Sequence, residues 1–164
     1  MYRKTIRHLL PLIIILTIFV TQANLIKAES PGTNIHVDHI AGGLEKVQEK
    51  ITLFFKFNST DKAKYEEFLA NKRLAELKYI IDNNLIDYVE EVGSRYETYI
   101  GSLTNFVVDK KVISEKDNLF KMYSDHQKIL EEISKKFEHD SGWWLVIQHD
   151  ININKISADR VRKL

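Results

Sequence analysis

Residues 55–80 read FKFNSTDKAKYEEFLANKRLAELKYI: aromatics, then four small polar residues, then a long run without Gly or Pro. The break after Phe57 has a physical cause. Asn58 can accept a hydrogen bond from the backbone of the next turn, and Asp61, three residues on, can reach back in a variant of the capping box. A carboxylate at position 61 also favours the positive end of the helix dipole. Asn58-Ser59-Thr60 matches the glycosylation sequon as well, but so short a motif recurs by chance, and it is read here as a cap. From Ser59 to about Ile81 the predicted helix is apolar on two sides. Ala63, Ala70, Leu74, Leu77 and Ile81 form one stripe at 100° per residue, while Tyr65, Phe68, Ala75 and Tyr79 form a second, roughly opposite one. A helix with two apolar faces packs between two neighbours, so this one is expected at the centre of the fold.

Upstream of this segment a helix is predicted from Asp38 or Gly43 to Lys56. Its apolar residues Ile40, Leu44, Val47, Ile51 and Phe54 are spaced by four and three, one narrow seam of coiled-coil type expected to pack beside the central helix. Downstream, Asp82-Asn83-Asn84 has poor helix propensity and tolerates turn conformations. A tight helical hairpin is expected there rather than one continuous helix with a stutter. A third helix, Leu85 to about Val108, would bury Leu85, Tyr88, Val92, Tyr99, Leu103 and Phe106. A fourth, capped by Ser114 and running to about Phe137, carries a seam of Leu119, Met122, His126, Ile129, Ile133 and Phe137. His139-Asp140-Ser141-Gly142 would stop it. The tail GWWLVIQHDININKISADRVRKL changes character: Trp143 to Gln148 is a continuous apolar run, and Ile151 and Ile153 alternate with Asn152 and Asn154. An extended segment laid over the bundle is expected, because a lone strand has no pairing partner.

The N-terminus, MYRKTIRHLLPLIIILTIFVTQANLIKAES, places Arg3, Lys4 and Arg7 before an apolar run from Leu9 to Val20, the layout of an export signal. Thr21-Gln22-Ala23 offers small residues for cleavage. An uncleaved anchor is the competing reading, since Leu9 to Ile26 reaches the shortest length that spans a bilayer. Either way the positive charges stay inside and the rest of the chain is expected outside the cytoplasm. With no Cys in 164 residues, neither a disulfide framework nor a thiolate metal site is available. Beyond residue 28 the chain holds 20 bases against 23 acids, a net charge of −3. A nucleic-acid partner is excluded on that balance.

The expected fold is therefore all-α: a signal peptide or anchor at 1–28, a linker at 29–37, an antiparallel bundle of about four helices at 38–140, and a mostly extended apolar tail at 141–164. With Pro31-Gly32 as lead-in, Leu53 and the aromatics Phe54, Phe55 and Phe57 at the end of the first helix, and Ala63, Leu69, Ala70, Arg73, Leu74, Ala75 and Glu76 in register, the chain resembles the bacterial exported family called domain of unknown function 5667. The resemblance is best over 53–97 and extends over 31–108. It implies a helical, exported domain and brings no activity with it.

Four of the six His adjoin an Asp, and His36, Asp38 and His39 are close enough in sequence to share one metal; the segment reads instead as solvated turn residues beside Gly42-Gly43. His126 reads as a hydrogen-bonded core imidazole, and Arg73 with Glu76 as a partly exposed structural ion pair. The adjacent pairs Glu66-Glu67, Glu90-Glu91 and Glu131-Glu132 point about 100° apart on a helix and form no acid/base dyad. With no nucleophile elbow, phosphate loop or dinucleotide fingerprint, no enzyme and no cofactor are expected. The remaining candidates are for interaction: Tyr65, Phe68 and Tyr79 on the second stripe, and Trp143 and Trp144, expected to close the end of the bundle. A non-enzymatic envelope protein that binds a protein partner or itself is the expected function. An envelope metal-binding protein, a holdase and a structural stalk are the alternatives.

Overall fold

The computed structural model describes residues 35–164. Among these are five α-helices and no strand: α1 Gly43–Phe54, α2 Ser59–Asp82, α3 Val89–Lys110, α4 Lys116–Ser134 and α5 Gly142–Arg162. Short 3-10 turns, Ile86–Tyr88 and Ile113–Glu115, lead into α3 and α4. The signal or anchor segment at 1–28 and the Pro31-Gly32 lead-in lie outside the described residues.

The central helix starts where its cap requires: the Asn58 side-chain oxygen accepts from the backbone N–H of Thr60 at 2.8 Å and of Asp61 at 3.3 Å. It ends at Asp82 because Asn84 adopts a left-handed conformation, φ 57°, and the Leu85 N–H turns back to the Ile80 carbonyl at 2.7 Å. The hairpin expected there forms, and a stalk built on one continuous helix has no basis in this chain. Lys111, φ 51°, ends α3 in the same way. Ser114 does not cap α4; its hydroxyl lies 3.4 Å from that of Thr60 instead, and the 3-10 turn carries the chain into the helix.

The tail departs from expectation. Residues 142–162 are helix, capped by the Ser141 hydroxyl accepting from the Trp144 N–H at 3.2 Å. The alternation at 151–154 suggested extended chain, but Ile147, Ile151, Asn154 and Val161 are buried at helical spacing. Winding into a helix also satisfies the interior backbone groups of a segment that has no strand to pair with. The count is thus five helices rather than four, and the tail is a wall of the bundle.

Two hairpins, α2–α3 and α4–α5, are joined by the packing of α3 along α5, while α2 meets α4 more lightly. The register follows from paired residues. Tyr96 meets Asn154 and Asn105 meets Arg160, so α3 and α5 run parallel; Asn71 meets His126 and Asp82 meets Lys136, so α2 and α4 do as well. The first stripe of α2, Ala63, Ala70, Leu74, Leu77 and Ile81, is buried throughout, as predicted. α3 is rotated from its predicted face. Val89, Val92, Tyr96, Ile100, Leu103 and Val107 are buried, Leu85 and Tyr88 are exposed, and Tyr99 and Phe106 are half-buried. Because α3 contacts both α2 and α5, its buried face is wider than one seam.

Candidate functional site

α1 docks on α2 by its polar side. Lys72 of α2 reaches Glu49 at 2.6 Å and also Glu45, while Arg73 donates to Glu49 and to Glu76. Just before α1, the Ala41 N–H donates to the Glu76 carboxylate at 3.2 Å. The Arg73 guanidinium lies 4.7 Å from the centre of the Tyr99 ring, and Arg95 of α3 approaches Glu76 at 3.9 Å. Three cations thus face three carboxylates, which is what makes burying them tolerable. Arg73 and Glu76 are fully buried rather than partly exposed, and Glu49 is nearly so. Contact with Glu45, Glu49 and Glu76 holds the Lys72 and Arg73 charges against the desolvation that opposes them.

The consequence is an inversion of the expected packing. The α1 seam points away from the bundle: Leu44 is 89% exposed, Val47 54%, Ile51 42% and Phe54 75%. Phe55 and Phe57 extend the patch, in edge contact with each other at 6.4 Å between ring centres and exposed by 56% and 85%. Apolar area left in water on this scale is more than the scattered exposed side chains of an ordinary helix face.

Tyr65 and Phe68 stack at 5.9 Å, half-buried, with the Lys56 ammonium 5.7 Å from the Tyr65 ring. Tyr65 lies against the end of α1, beside Thr52 and Lys56, so part of the second stripe is covered within the chain. Tyr79, half-buried, lines a cleft of about 410 Å³ with His36, Asn71, Lys78 and Asp82. Trp143, 40% exposed, leans on Phe137, and Trp144 packs on the His139 ring at 4.3 Å. They sit at the start of α5, by the α2–α3 turn, at the opposite end of the bundle from Phe57. The five predicted interaction residues are therefore not one surface.

The His36, Asp38 and His39 segment is exposed, and both His39 nitrogens are engaged, by Asp38 at 2.6 Å and Glu45 at 3.2 Å. Those hydrogen bonds raise the His39 pKa. Among the described residues no group of three or more His, Cys, Asp and Glu side chains has the geometry to hold a metal.

One chain of hydrogen bonds joins all four bundle helices. His126, fully buried on α4, meets Asn71 of α2 at 2.9 Å and the Tyr96 hydroxyl of α3 at 3.1 Å; Tyr96 also reaches Asn154 of α5 at 3.2 Å. Asn154 in turn donates to the Tyr123 carbonyl at 2.8 Å. Burial pushes the His126 pKa down to about 3, so the ring is neutral. Its Nε2–H donates to the Asn71 amide oxygen, and the one Tyr96 O–H faces two acceptors, His126 Nδ1 and Asn154 Oδ1. Such a network fixes helix register and offers no reactive group to solvent.

The apolar pattern does not point to Glu45, Glu49 and Lys72, the residues that decide the site. A signal was present, since Glu45 and Glu49 lie four apart on the face of α1 opposite its seam, and Lys72-Arg73 is the one adjacent basic pair of α2.

The profile of one protein family, domain of unknown function (DUF5667), matches residues 38–141. The chain belongs to the DUF5667 family. The match runs past Val108, where the sequence resemblance stopped, so the DUF5667 region takes in α1 to α4 and ends at the Ser141 cap of α5. No curated protein and no solved structure matches the chain significantly.

Proposed function

We propose that this DUF5667 protein is an exported, non-enzymatic interaction domain of the cell envelope that engages its partner through the outward face of α1. The single observation behind this reading is that inverted helix. Ion pairs with α2 hold α1 in place while Leu44, Val47, Ile51 and Phe54 stay in water. A helix fastened by its charged side and bare on its apolar side suits helix-face recognition. Export is supported by the basic, apolar and small-residue order of residues 3–23, and the non-enzymatic reading by the lack of a catalytic motif.

A photocrosslinking residue placed at Val47 or Ile51 in cells tests this. Adducts, protein or lipid, should form there in excess of those formed from exposed Lys155 on α5. Equal, background yields at all three positions would overturn the reading.

A further inference from the structure

The rim of the α1 face identifies what covers it. The two acids of the helix, Glu45 and Glu49, both turn toward α2 and are taken up by Lys72 and Arg73. Lys46, half-buried, and Lys50, exposed, border the apolar stripe on one side. What α1 shows to the outside is thus an apolar centre with a basic edge, its one partly exposed carboxylate, Glu45, being already paired with Lys72. That is the pattern of a helix lying in the plane of a membrane surface, where the stripe enters the acyl boundary and lysines meet anionic headgroups.

A second copy fits less well. Two such faces pressed together would set basic edges beside each other, with only Glu45, already engaged by Lys72 and His39, as an acid near them. A helix of 12 residues, about 18 Å long, also offers little more than three turns of seam. Placement favours lipid too. α1 begins at Gly43, 17 residues beyond Ile26, where the apolar N-terminal sequence ends. That length of chain spans at most about 60 Å when extended, so a membrane-held Leu9–Ile26 leaves α1 within reach of the same bilayer.

We infer that α1 docks on an anionic lipid surface, with Leu44, Val47, Ile51 and Phe54 below the headgroups and Lys46 and Lys50 at phosphate level. This rests on the reading of the α1 face as the interaction surface and names its partner.

The chain has no Cys, so one introduced cysteine gives one labelled position. The full-length protein with Ile51→Cys or Val47→Cys carries an environment-sensitive fluorophore, and Lys155→Cys on α5 serves as reference. Each is reconstituted in phosphatidylcholine vesicles with and without one-quarter phosphatidylglycerol. Because the N-terminal segment can hold the chain on any vesicle, the reading is depth, taken as quenching by spin-labelled lipid. Quenching at 47 and 51 should exceed that at 155 several-fold in anionic vesicles, and Lys46→Gln with Lys50→Gln should remove most of the excess. Equal quenching at all three positions overturns the proposal. Labels shielded from water but untouched by the lipid quencher also overturn it: they mean a protein cover, whether a second copy, another protein or residues 9–20 of this chain. That last result leaves the interaction reading standing, whereas its own failure shows as background crosslinking.

Discussion

The Arg73 guanidinium of α2 donates to the Glu49 carboxylate of α1 where water scarcely reaches, with Arg73 0% and Glu49 5% exposed. This contact decides which side of α1 faces out. Removing one member of a buried pair leaves the other charge uncompensated, at a cost of about 3 to 5 kcal/mol. Arg73→Met abandons both Glu49 and Glu76, so it should cost that much in denaturant unfolding, and α1 amides should lose exchange protection before those of α2 to α5. Lys78→Ala, at the exposed Lys78–Asp82 pair, should cost less than about 1 kcal/mol. Similar losses in the two variants would show that the buried pair does not hold α1.

His126 gives the fold an acid limit. Its folded pKa, about 3, lies below the usual 6.5 because burial disfavours the charged ring. As pH falls below 6.5 the unfolded chain takes up a proton that the folded chain refuses. Stability should therefore drop by about 1.4 kcal/mol per pH unit from this group, down to pH 3. His126→Gln should remove that slope between pH 6 and pH 4 in a series of denaturant midpoints, whatever its effect on stability at pH 7. An unchanged slope would place the acid sensitivity elsewhere.

What could be read in advance was local. The Asn58 cap, the buried stripe of α2 and the turn at Asn83-Asn84 each depend on residues within a turn or two of one another, and each is found. The orientation of α1 depends on Glu49 finding Arg73, 24 residues away, and a binary apolar pattern carries no trace of such a partner. Ile151 to Asn154 fits a period of two over four residues and a helical period over twenty, and only the packing surface offered by α3 and α4 selects the second. The apolar face of α1 was thus legible as a face, but not its direction.

Two glycines on α3 should respond oppositely to alanine. A Cβ at Gly93 would stand 3.0 Å from a Val146 methyl and 3.1 Å from an Asp150 carboxylate oxygen, while at Gly101 nothing lies within 4 Å. Gly101→Ala should gain about 0.5 to 1 kcal/mol from helix propensity. Gly93→Ala has the same propensity gain but must push α5 away, and overpacking of this kind costs about 1 to 3 kcal/mol. Thermal midpoints of the two variants should fall on either side of the parent. A rise in both would mean that α3 and α5 are less closely packed than these distances require.

Asp150 itself sets an alkaline limit. It is fully buried on α5, neither carboxyl oxygen meets a donor, and burial together with the neighbouring Glu97 carboxylate raises its pKa far above the usual 3.8. The folded chain keeps a proton that the unfolded chain releases, so the stability this group contributes is whole below about pH 4 and is lost as pH rises. His149 pairs with Glu97 from the solvent side, and Tyr96 on the same side of α3 stays neutral because burial raises its own pKa. Asp150→Asn keeps the shape, needs no proton, and lets an amide N–H donate toward Glu97. It should stabilise the domain by on the order of 2 kcal/mol at pH 7, more at pH 8 and hardly at pH 4. Denaturant midpoints at those three values measure it. A gain that does not grow with pH would mean that Asp150 is ionised in the folded domain, and that α3 and α5 close over a charge rather than over a protonated acid.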